Sequence, residues 1–324
     1  MAKLPLSLAC GGYDKTQALI DGRVAVEGVD LNYLKIEPPG EIFWRQVRHD
    51  EFDASELTLS AYIIGLSRGD DRFVGIPVFP LRLFRHSFIW VRNDSGINEP
   101  KDLKGRQIAI PEYHMTAMLY IRGMLQHDHG VSPSDIHWLR TRVERLPLKL
   151  PAEIDLKDIQ TEDWDAMLTR GEIDGTMGTR APRASEGSSP RVRRLFGDVR
   201  EAETDYYRRT GIFPIMHVVA LKRDIYERNR WIAKALLDAF DRSKAEAYRR
   251  MRDVSGMYSL PWMSLDQEHS QRVFGGDPYP YGLAPNLATL EAATQFSFEQ
   301  GLSDRKVSVE ELFAPETIDV FVEH

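Results

Sequence analysis

The segment QVRHDEFDASELTLS, residues 46–60, and the segment MLTRGEIDGTMGTR, residues 167–180, follow the same order of residue types. Each has the pattern of a helix end, then an acidic residue, an apolar residue, an aspartate and a small residue, and it continues as a strand and a polar loop. The likeness is too short to prove a duplication, but it indicates two lobes of similar build. Because open α/β sheets bind ligands beyond the carboxyl ends of their strands, two such lobes facing each other would form a cleft.

Patterns typical of strands and helices alternate along the rest of the chain, which favours an α/β fold with mainly parallel sheets. The segment LPLSLAC, residues 4–10, has the pattern of a first strand, and a helix is indicated from about Thr116 to a stop at Gly130. Residues 141–161 lack helical periodicity, so we predict an extended connection there. The apolar run GIFPIMHVVALKRD, residues 211–224, is predicted to form one long strand.

The composition is that of an ordinary globular protein, and it limits the partners that the chain can have. At 324 residues the chain suits about two domains, and its net charge of −7 argues against a general affinity for nucleic acid or anionic membranes. The single cysteine, Cys10, excludes an intrachain disulfide and fits a reducing compartment. The amino terminus does not have the apolar core of a secretory signal, and no run of about 18 apolar residues exists, so we expect a cytoplasmic protein.

A second stretch, IPVFPLRLFRHSFIWVRND at residues 76–94, places Arg82, Arg85 and His86 between two apolar runs. A buried cation without a partner is costly, so these side chains are expected to meet a negative charge. That charge is either an Asp or Glu of the protein or an anionic ligand. In an extended segment Arg82 and His86 face one side and Arg85 faces the other. Both arginines then reach one ligand only if Pro80 or the turn breaks this alternation.

Several blocks of the sequence resemble one known family, and together they run nearly from end to end. They are LACGGYDKTQALIDGRVAVEGVDL (8–31), FDASELTLSAYI (52–63), IPVFPLRLFRHSFIWV (76–91), EYHMTAMLYIRG (112–123), TGIFPIMHVVAL (210–221) and DPYPYG (277–282). Through these blocks the chain is similar to the 4,5-dihydroxyphthalate decarboxylase family. The block DLKGRQIAI (102–110) resembles the opening of a second lobe in the type II periplasmic-binding-protein fold.

The resemblance implies a fold and a division of the chain. We expect a two-lobed type II periplasmic-binding-protein-like α/β fold, with mixed sheets flanked by helices and two crossing strands, FIWVRND and IFPIMHVVA. Lobe one would be discontinuous, residues 1–90 and 215–324, and lobe two would span residues 91–214. The ligand cleft would lie between the lobes, and the stretch at residues 76–94 contains the start of the first crossing.

The activity that the resemblance implies is the non-oxidative decarboxylation of a hydroxylated aromatic carboxylate, in the first place 4,5-dihydroxyphthalate to 3,4-dihydroxybenzoate (protocatechuate) and CO2. Each carboxylate of that substrate is para to a hydroxyl group, which donates electron density to the ring carbon that bears the carboxylate. His86 or His217 would protonate that carbon, since the reference pKa of histidine is about 6.5. The alternative for either histidine is a neutral, hydrogen-bonded position in the core. Glu56 would orient a histidine or pair with an arginine.

Arg82 and Arg85 are the expected ligands of a substrate carboxylate, because a guanidinium group binds a carboxylate through two parallel hydrogen bonds. Their alternative is an internal salt bridge. The remaining candidates follow predicted strands or open a helix whose free amides can hold an anion; they are Tyr13, Asp14, Ser60, His114, Thr116, Thr179 and Arg180. Among these, Thr116 is equally explained as a helix N-cap, and Arg180 as a solvated loop charge.

The chemistry needs no organic cofactor, because the ring hydroxyl supplies the electron density. A divalent metal is left open, with His86, His114 and His217 as its ligands, although the sequence has no metal-binding spacing. We expect a small aromatic dicarboxylate as partner, no nucleic acid and no membrane, and a homo-oligomer is left open. Two other functions remain: a substrate-binding protein of an ABC-type transporter, or another cytoplasmic enzyme on this fold such as a chorismate dehydratase.

Overall fold

The strands form two separate sheets in the computed structural model, which describes residues 2–159, 161, 163–186, 190–253 and 258–320. In chain order the strands are β1 (Leu4–Cys10), β2 (Val29–Lys35), β3 (Ala54–Thr58), β4 (Phe73–Ile76), β5 (Ile89–Arg92), β6 (Gln107–Ile110), β7 (His137–Arg140), β8 (Leu156–Asp158), β9 (Gly175–Met177), β10 (Val192–Arg194) and β11 (His217–Lys222). The first sheet has the order β2-β1-β3-β11-β4, and the second has the order β10-β5-β9-β6-β7-β8.

Helices flank both sheets. In chain order they are α1 (Gln17–Ile20), α2 (Pro39–His49), α3 (Leu59–Ser67), α4 (Thr116–His129), α5 (Trp164–Arg170), α6 (Val199–Thr210), α7 (Arg223–Arg228), α8 (Trp231–Asp253), α9 (Met263–Phe274) and α10 (Leu287–Glu299). The helix predicted to stop at Gly130 does so, because Gly130 caps α4 in the left-handed conformation with φ of 64°. In the part of the chain that the structure describes, no helix has both the length and the apolar character needed to cross a membrane.

Both sheets are mixed. In the first sheet β1 runs parallel to β2 and β3, whereas β11 runs antiparallel to β3 and β4. In the second sheet β6 runs parallel to β7 and β9, whereas β5 runs antiparallel to β9 and β10. The expected fold class, an α/β fold with mixed sheets flanked by helices, is confirmed, and the expectation of mainly parallel sheets is corrected. The antiparallel strands are β5 in the second sheet and β11 in the first. Each directly follows a connection between the sheets.

Two connections between the sheets lie side by side. The chain leaves the first sheet after β4 and returns to it at β11. In between, the amide of Leu83 donates to the carbonyl of Pro214 at 3.0 Å, and the amide of Met216 donates to the carbonyl of Leu81 at 2.9 Å. These bonds hold the two connections together. The division into lobes of residues 1–90 with 215–324, and 91–214, stays a prediction.

Two predicted elements differ from the structure. The run at residues 211–224 is a strand only from His217 to Lys222, because Pro214 has no amide hydrogen for a sheet and the preceding residues pair with the other connection. The connection predicted at residues 141–161 includes the short strand β8, which pairs with β7.

Helix α4 follows a strand of the second sheet and packs against helices beside the first. It comes after β6, and it contacts α10 and α3, of which α3 packs on β3. Its residues from Thr116 to Leu125 are all buried. The approach to α10 is so close that a Cβ placed on Gly123 would lie 2.1 Å from Cδ2 of Phe296. Glycine at this position therefore sets the distance between α4 and α10.

The substitution Gly123→Ala tests this contact. The added methyl group forces the Phe296 ring out of its buried position, so we expect the free energy of unfolding to fall by about 1 to 3 kcal/mol. Urea denaturation followed by circular dichroism measures the loss. The matched control is Gly197→Ala, where a Cβ meets no atom within 4 Å. Equal stability of the two variants would contradict the tight contact.

Candidate active site

A buried carboxylate, that of Glu56, lies at the centre of a polar cluster. Its oxygens accept hydrogen bonds from the Gly11 amide at 2.8 Å, the Tyr13 hydroxyl at 2.6 Å and the Cys10 thiol at 3.4 Å. Nδ1 of His217 contacts the same oxygen, Oε1, that accepts from Tyr13. The predicted candidates Tyr13, Glu56 and His217 are therefore brought together.

The order of strands in the first sheet explains this cluster. Glu56 lies on β3, between β1, which ends at Cys10, and β11, in which Val219 pairs with Glu56. The carboxyl end of β1 and the amino end of β11 meet beside β3 because β11 is antiparallel to it. A Cβ on Gly11 would lie 2.8 Å from Cε2 of Tyr13, so glycine allows the tyrosine ring to fold back toward Glu56.

The electrostatics of the cluster keep Glu56 ionised. Burial alone would raise the pKa of Glu56, but His217, the Tyr13 hydroxyl and the Gly11 amide outweigh burial and lower it. Burial beside this carboxylate raises the pKa of Tyr13, so its hydroxyl stays a proton donor. An ionised Glu56 accepts Nδ1–H of His217, and Nε2 is then the nitrogen left for a ligand. The edge of the Phe43 ring packs on this imidazole, with centroids 4.8 Å apart.

The start of α4 adjoins the cluster from the other side. Thr58 pairs with His217 in the sheet, and its hydroxyl lies 2.7 Å from the hydroxyl of Thr116. The Thr116 hydroxyl also accepts from the amide of Ser60 at 3.0 Å, and the Ser60 hydroxyl donates to the carbonyl of His114. Thr116 is thus the first residue of α4 and bonds to the β3–α3 turn, and its side chain does not cap the helix.

His114 lies in a separate acidic group with Glu112 and Glu144. Within the described ranges, this is the set of at least three His, Cys, Asp or Glu residues whose ligand atoms lie within 4.8 Å of one another. The predicted metal ligands His86, His114 and His217 form no such set there, because each ring has different neighbours: Glu144 for His114, Glu56 for His217, and aromatic rings for His86.

In this acidic group, protein hydrogens already occupy the carboxylate of Glu144. Glu144 accepts from the amides of Tyr113 and His114, from the His114 ring and from Arg140. Glu112 faces the guanidinium groups of Arg142, at 3.9 Å, and Arg145, at 3.6 Å.

Arg82 and Arg85 are buried, and their recorded hydrogen-bond acceptors are neutral. Arg82 donates to the side-chain oxygen of Asn286 at 2.6 Å and to the carbonyl of Phe213 at 2.8 Å. Arg85 directs Nε and Nη2 at the sulfur of Met216. Burial lowers the pKa of each arginine to about 10. In the chain as described, neither forms an ion pair with a carboxylate, and their substrate-binding role stays a prediction.

His86 lies apart from the Glu56 cluster. Its ring packs edge-on against Phe196 and Tyr206, with centroids 5.0 and 5.2 Å apart. Nδ1 has no hydrogen-bond partner and lies 3.9 Å from Oε1 of Glu203. Burial lowers the pKa of His86 to about 4, which favours the neutral ring at neutral pH. Of the two predicted proton donors, His217 is the one with a carboxylate in contact.

Two of the remaining candidates have neighbours outside the Glu56 cluster: Asp14 bonds to the next residue, and Arg180 contacts α5. The Asp14 carboxylate accepts from the side chain of Lys15 at 3.1 Å. Thr179 and Arg180 are exposed, and the Arg180 guanidinium lies 4.8 Å from the centroid of the Trp164 ring.

Several residues near the cluster were missed by sequence reasoning. Phe43 lies on α2, and Lys15, which is buried, lies over the ring of Tyr279 at 4.2 Å. Arg145 reaches across to donate to the carbonyl of Gly40 at the start of α2, at 3.1 Å. The available signal was the pair of arginines in TRVERLP (141–147), which an extended connection does not require.

Solved structures show which class of fold this is. The chain is similar to the periplasmic aliphatic sulphonate binding protein SsuA from Escherichia coli, with a TM-score of 0.56 and 14% identity over 97% of this chain and 98% of that one. The alkanesulfonate-binding protein SsuA from Xanthomonas axonopodis pv. citri has a TM-score of 0.53 and 13% identity, over 97% and 98% of the two chains. The desulfurization enzyme DSZB has a TM-score of 0.50 and 18% identity, over 97% of each chain. The fold is periplasmic-binding-protein-like.

Sequence comparison identifies the family. A family model described as NMT1/THI5 like matches residues 81–250. The 4,5-dihydroxyphthalate decarboxylase of Comamonas testosteroni is 39% identical over 329 residues, which covers 99% of each protein. That of Pseudomonas putida is 41% identical over 215 residues, which covers 64% of this chain and 83% of the relative. The chain belongs to the 4,5-dihydroxyphthalate decarboxylase family and carries the NMT1/THI5-like region, so the predicted family is confirmed.

The environment of Glu144 generates a prediction about acid stability. Burial raises the pKa of Glu144, but the His114 ring and the amides of His114 and Tyr113 outweigh it and lower the pKa to about 2. A carboxyl group whose pKa is lower in the folded state stabilises the fold above its unfolded pKa of about 4.3, and the stabilisation is lost as the pH falls toward 2. We therefore expect Glu144→Gln to flatten the decline in the urea midpoint between about pH 5 and pH 2. The exposed Glu153→Gln is the control, and an unchanged slope in Glu144→Gln would contradict the assignment.

Proposed function

We propose that the protein decarboxylates a hydroxylated aromatic carboxylate, in the first place 4,5-dihydroxyphthalate to 3,4-dihydroxybenzoate and CO2. The observation that carries this proposal is the hydrogen-bonded series of Tyr13, Glu56 and His217 at the carboxyl end of the first sheet, in a chain of this family. A buried carboxylate that accepts a hydrogen bond from one nitrogen of a partly exposed imidazole ring is a common arrangement for a general acid.

The reaction needs one proton and no redox partner. A ring hydroxyl of the substrate donates electron density to the para carbon that bears a carboxylate, and His217, as the imidazolium, transfers its Nε2 proton to that carbon. The bond from this carbon to the carboxylate then breaks, its electron pair restores the aromatic ring, and CO2 leaves. The dianionic substrate and one proton give a monoanionic product and CO2. Glu56 stabilises the imidazolium before the transfer and keeps the ring oriented afterwards.

The start of α4 suits the substrate carboxylate that is retained. The first amides of a helix have no acceptor within the helix, and they favour anions. Thr116, the first residue of α4, is hydrogen bonded to Thr58, which pairs with His217 in the sheet. An anion held there would lie next to the proposed acid. General acid catalysis alone contributes about 100- to 10,000-fold, so positioning must supply the rest.

One experiment separates this function from the two alternatives. Purified protein is incubated with 4,5-dihydroxyphthalate and, separately, with chorismate, with and without a chelator, while CO2 and ring products are measured. We expect CO2 and 3,4-dihydroxybenzoate from the first substrate, with no effect of the chelator. Tight binding without CO2 would favour a transporter's binding protein, and turnover of chorismate would favour a dehydratase.

The proposal also includes a cellular location. We propose that the protein is cytoplasmic, which the free, buried thiol of Cys10 supports. A homo-oligomer is left open, and size-exclusion chromatography with light scattering decides it.

Replacing the proposed acid tests the mechanism directly. In His217→Asn the proton donor is lost, so we expect kcat to fall about 100- to 10,000-fold while the substrate still binds. Decarboxylation rates and equilibrium dialysis at pH 7 give both quantities. The control is His137→Asn, whose ring is half exposed and pairs with Asp155 on the surface. A near-native rate in His217→Asn would move the acid elsewhere, with His86→Asn as the next variant to measure.

Glu56→Gln distinguishes an electrostatic role of Glu56 from a purely structural one. The amide keeps a similar shape, but it no longer stabilises the imidazolium of His217. We expect kcat to fall while the KM for the substrate and the circular dichroism spectrum stay close to those of the wild type. A fall in kcat that is accompanied by loss of folded structure would indicate a structural role only.

A further inference from the structure

A second cavity lies away from the Glu56 cluster, between α6 and α9. Its volume is about 490 Å³, which is within the usual range for small-molecule sites. Its walls come from α6 and β10 on one side, from α9 and the loop at residues 278–279 on the other, and from both connections between the sheets. None of its lining residues belongs to the Tyr13–Glu56–His217 series. We call this cavity the α6–α9 groove.

Aromatic rings form one wall of the groove. The Phe84 and Phe213 rings have centroids 4.5 Å apart, and Phe213 lies 5.1 Å from Phe274 and 5.5 Å from Tyr279. Three of these four side chains, those of Phe84, Phe274 and Tyr279, are only partly buried. They therefore leave flat ring surfaces open to the groove, and such surfaces bind a planar aromatic group through offset or edge-on contacts.

The polar lining of the groove carries more positive than negative groups. Arg194, Arg200 and His269 line it against a single carboxyl group, that of Glu203. The Arg194 side chain donates to the carbonyl of Ser87 at 3.2 Å, and Arg200 pairs with Asp266 outside the lining. An acidic ligand is therefore favoured over a basic one.

Behind Glu203 lie two buried groups, His86 and Arg85. His86 is 3% exposed, and in the part of the chain that the structure describes its Nδ1 has no hydrogen-bond partner and lies 3.9 Å from Oε1 of Glu203. Arg85, which is 5% exposed, donates to the sulfur of Met216, and among the described residues it forms no ion pair with a carboxylate. An unsatisfied buried polar atom is costly, and an anion beside Glu203 would reduce this cost for the Arg85 guanidinium through charge attraction.

We propose that the α6–α9 groove binds an aromatic carboxylic acid at a site separate from the catalytic cleft, with its ring on Phe84 and Phe274 and its carboxylate beside Glu203 and Arg194. This site would bind the acid whether or not the cleft decarboxylates it. Residues of both connections between the sheets line the groove. A bound acid would therefore also stabilise the arrangement of the two connections that the structure shows.

The protonation of Glu203 gives this site a pH dependence. Burial raises the pKa of Glu203 to about 7, although the Ser87 amide, Arg194 and Arg85 oppose the increase. The neutral carboxyl group donates a hydrogen bond to the ligand's carboxylate, whereas the ionised group repels it. Affinity therefore falls as the pH rises from 6 to 8.

Other titratable groups around Glu203 do not reverse this sign. His86 from the connection faces it, and burial lowers the pKa of His86 to about 4, so that ring is neutral throughout this range. Arg85 and Arg194 stay charged, and so does Arg200 on α6 itself. His269 on α9 also lines the groove.

The test uses benzoate as the probe, with the full-length protein and isothermal titration calorimetry at pH 6, 7 and 8. The wild type should bind benzoate most tightly at pH 6. Phe274→Ala removes one ring from the wall and should weaken binding about tenfold. The control, Phe298→Ala, makes the same change at an exposed phenylalanine on α10 and should bind as the wild type does. Circular dichroism establishes that each variant is folded.

Two further variants keep the proposal falsifiable. Ser270→Trp fills the groove from α9 and should abolish binding, while decarboxylation in the cleft continues. Glu203→Gln keeps a hydrogen-bond donor but does not titrate, so it should bind at pH 6 and lose most of the pH dependence. Absence of benzoate binding to the wild type, or equal binding to the wild type, Phe274→Ala and Ser270→Trp, would overturn the site. An unchanged pH dependence in Glu203→Gln would overturn the role of Glu203.

Discussion

The buried carboxylate of Glu56 is the constraint on which the arrangement of the candidate active site depends. An ionised carboxylate in the interior is costly unless hydrogen bonds or opposite charges compensate for its lost hydration. Glu56 obtains this compensation from the turn after β1, through Gly11 and Tyr13, and from the start of β11, through His217. Three strands that are distant in sequence therefore have to end at one place. The contact with His217 that compensates the charge of Glu56 also orients the imidazole ring of His217.

The arginines of the first connection show how a buried cation is accommodated without a carboxylate. The sequence suggested two partners for Arg82 and Arg85, an acidic side chain or an anionic ligand. The structure uses neutral acceptors: an amide oxygen, a backbone carbonyl and a thioether sulfur. Such groups satisfy hydrogen bonds but do not neutralise charge. Burial accordingly lowers the pKa of both arginines.

Local pattern was enough to predict many elements, and it failed where tertiary contacts decide. The strand at residues 4–10 and the helix that starts at Thr116 were predictable because periodicity and a capping glycine mark them. The start of the strand predicted at residues 211–224 was not, since the partner of residues 212–216 is the other connection. Tyr13, Glu56 and His217 were each conspicuous as polar residues beside apolar strands. Their mutual contact depends on the strand order, which no local pattern contains.

The fold itself does not distinguish a binding protein from an enzyme, because it occurs in sulfonate-binding proteins and in a desulfurization enzyme. A binding protein needs only complementary charge and shape in its ligand site. Catalysis of decarboxylation additionally requires a proton donor that is held in place and is charged at the moment of reaction. In the proposed function the pair of Glu56 and His217 has this role, because the carboxylate is kept ionised by its neighbours and is in direct contact with the imidazole. Under that proposal the difference between the two functions lies in one buried carboxylate, and the sheets around it are compatible with either.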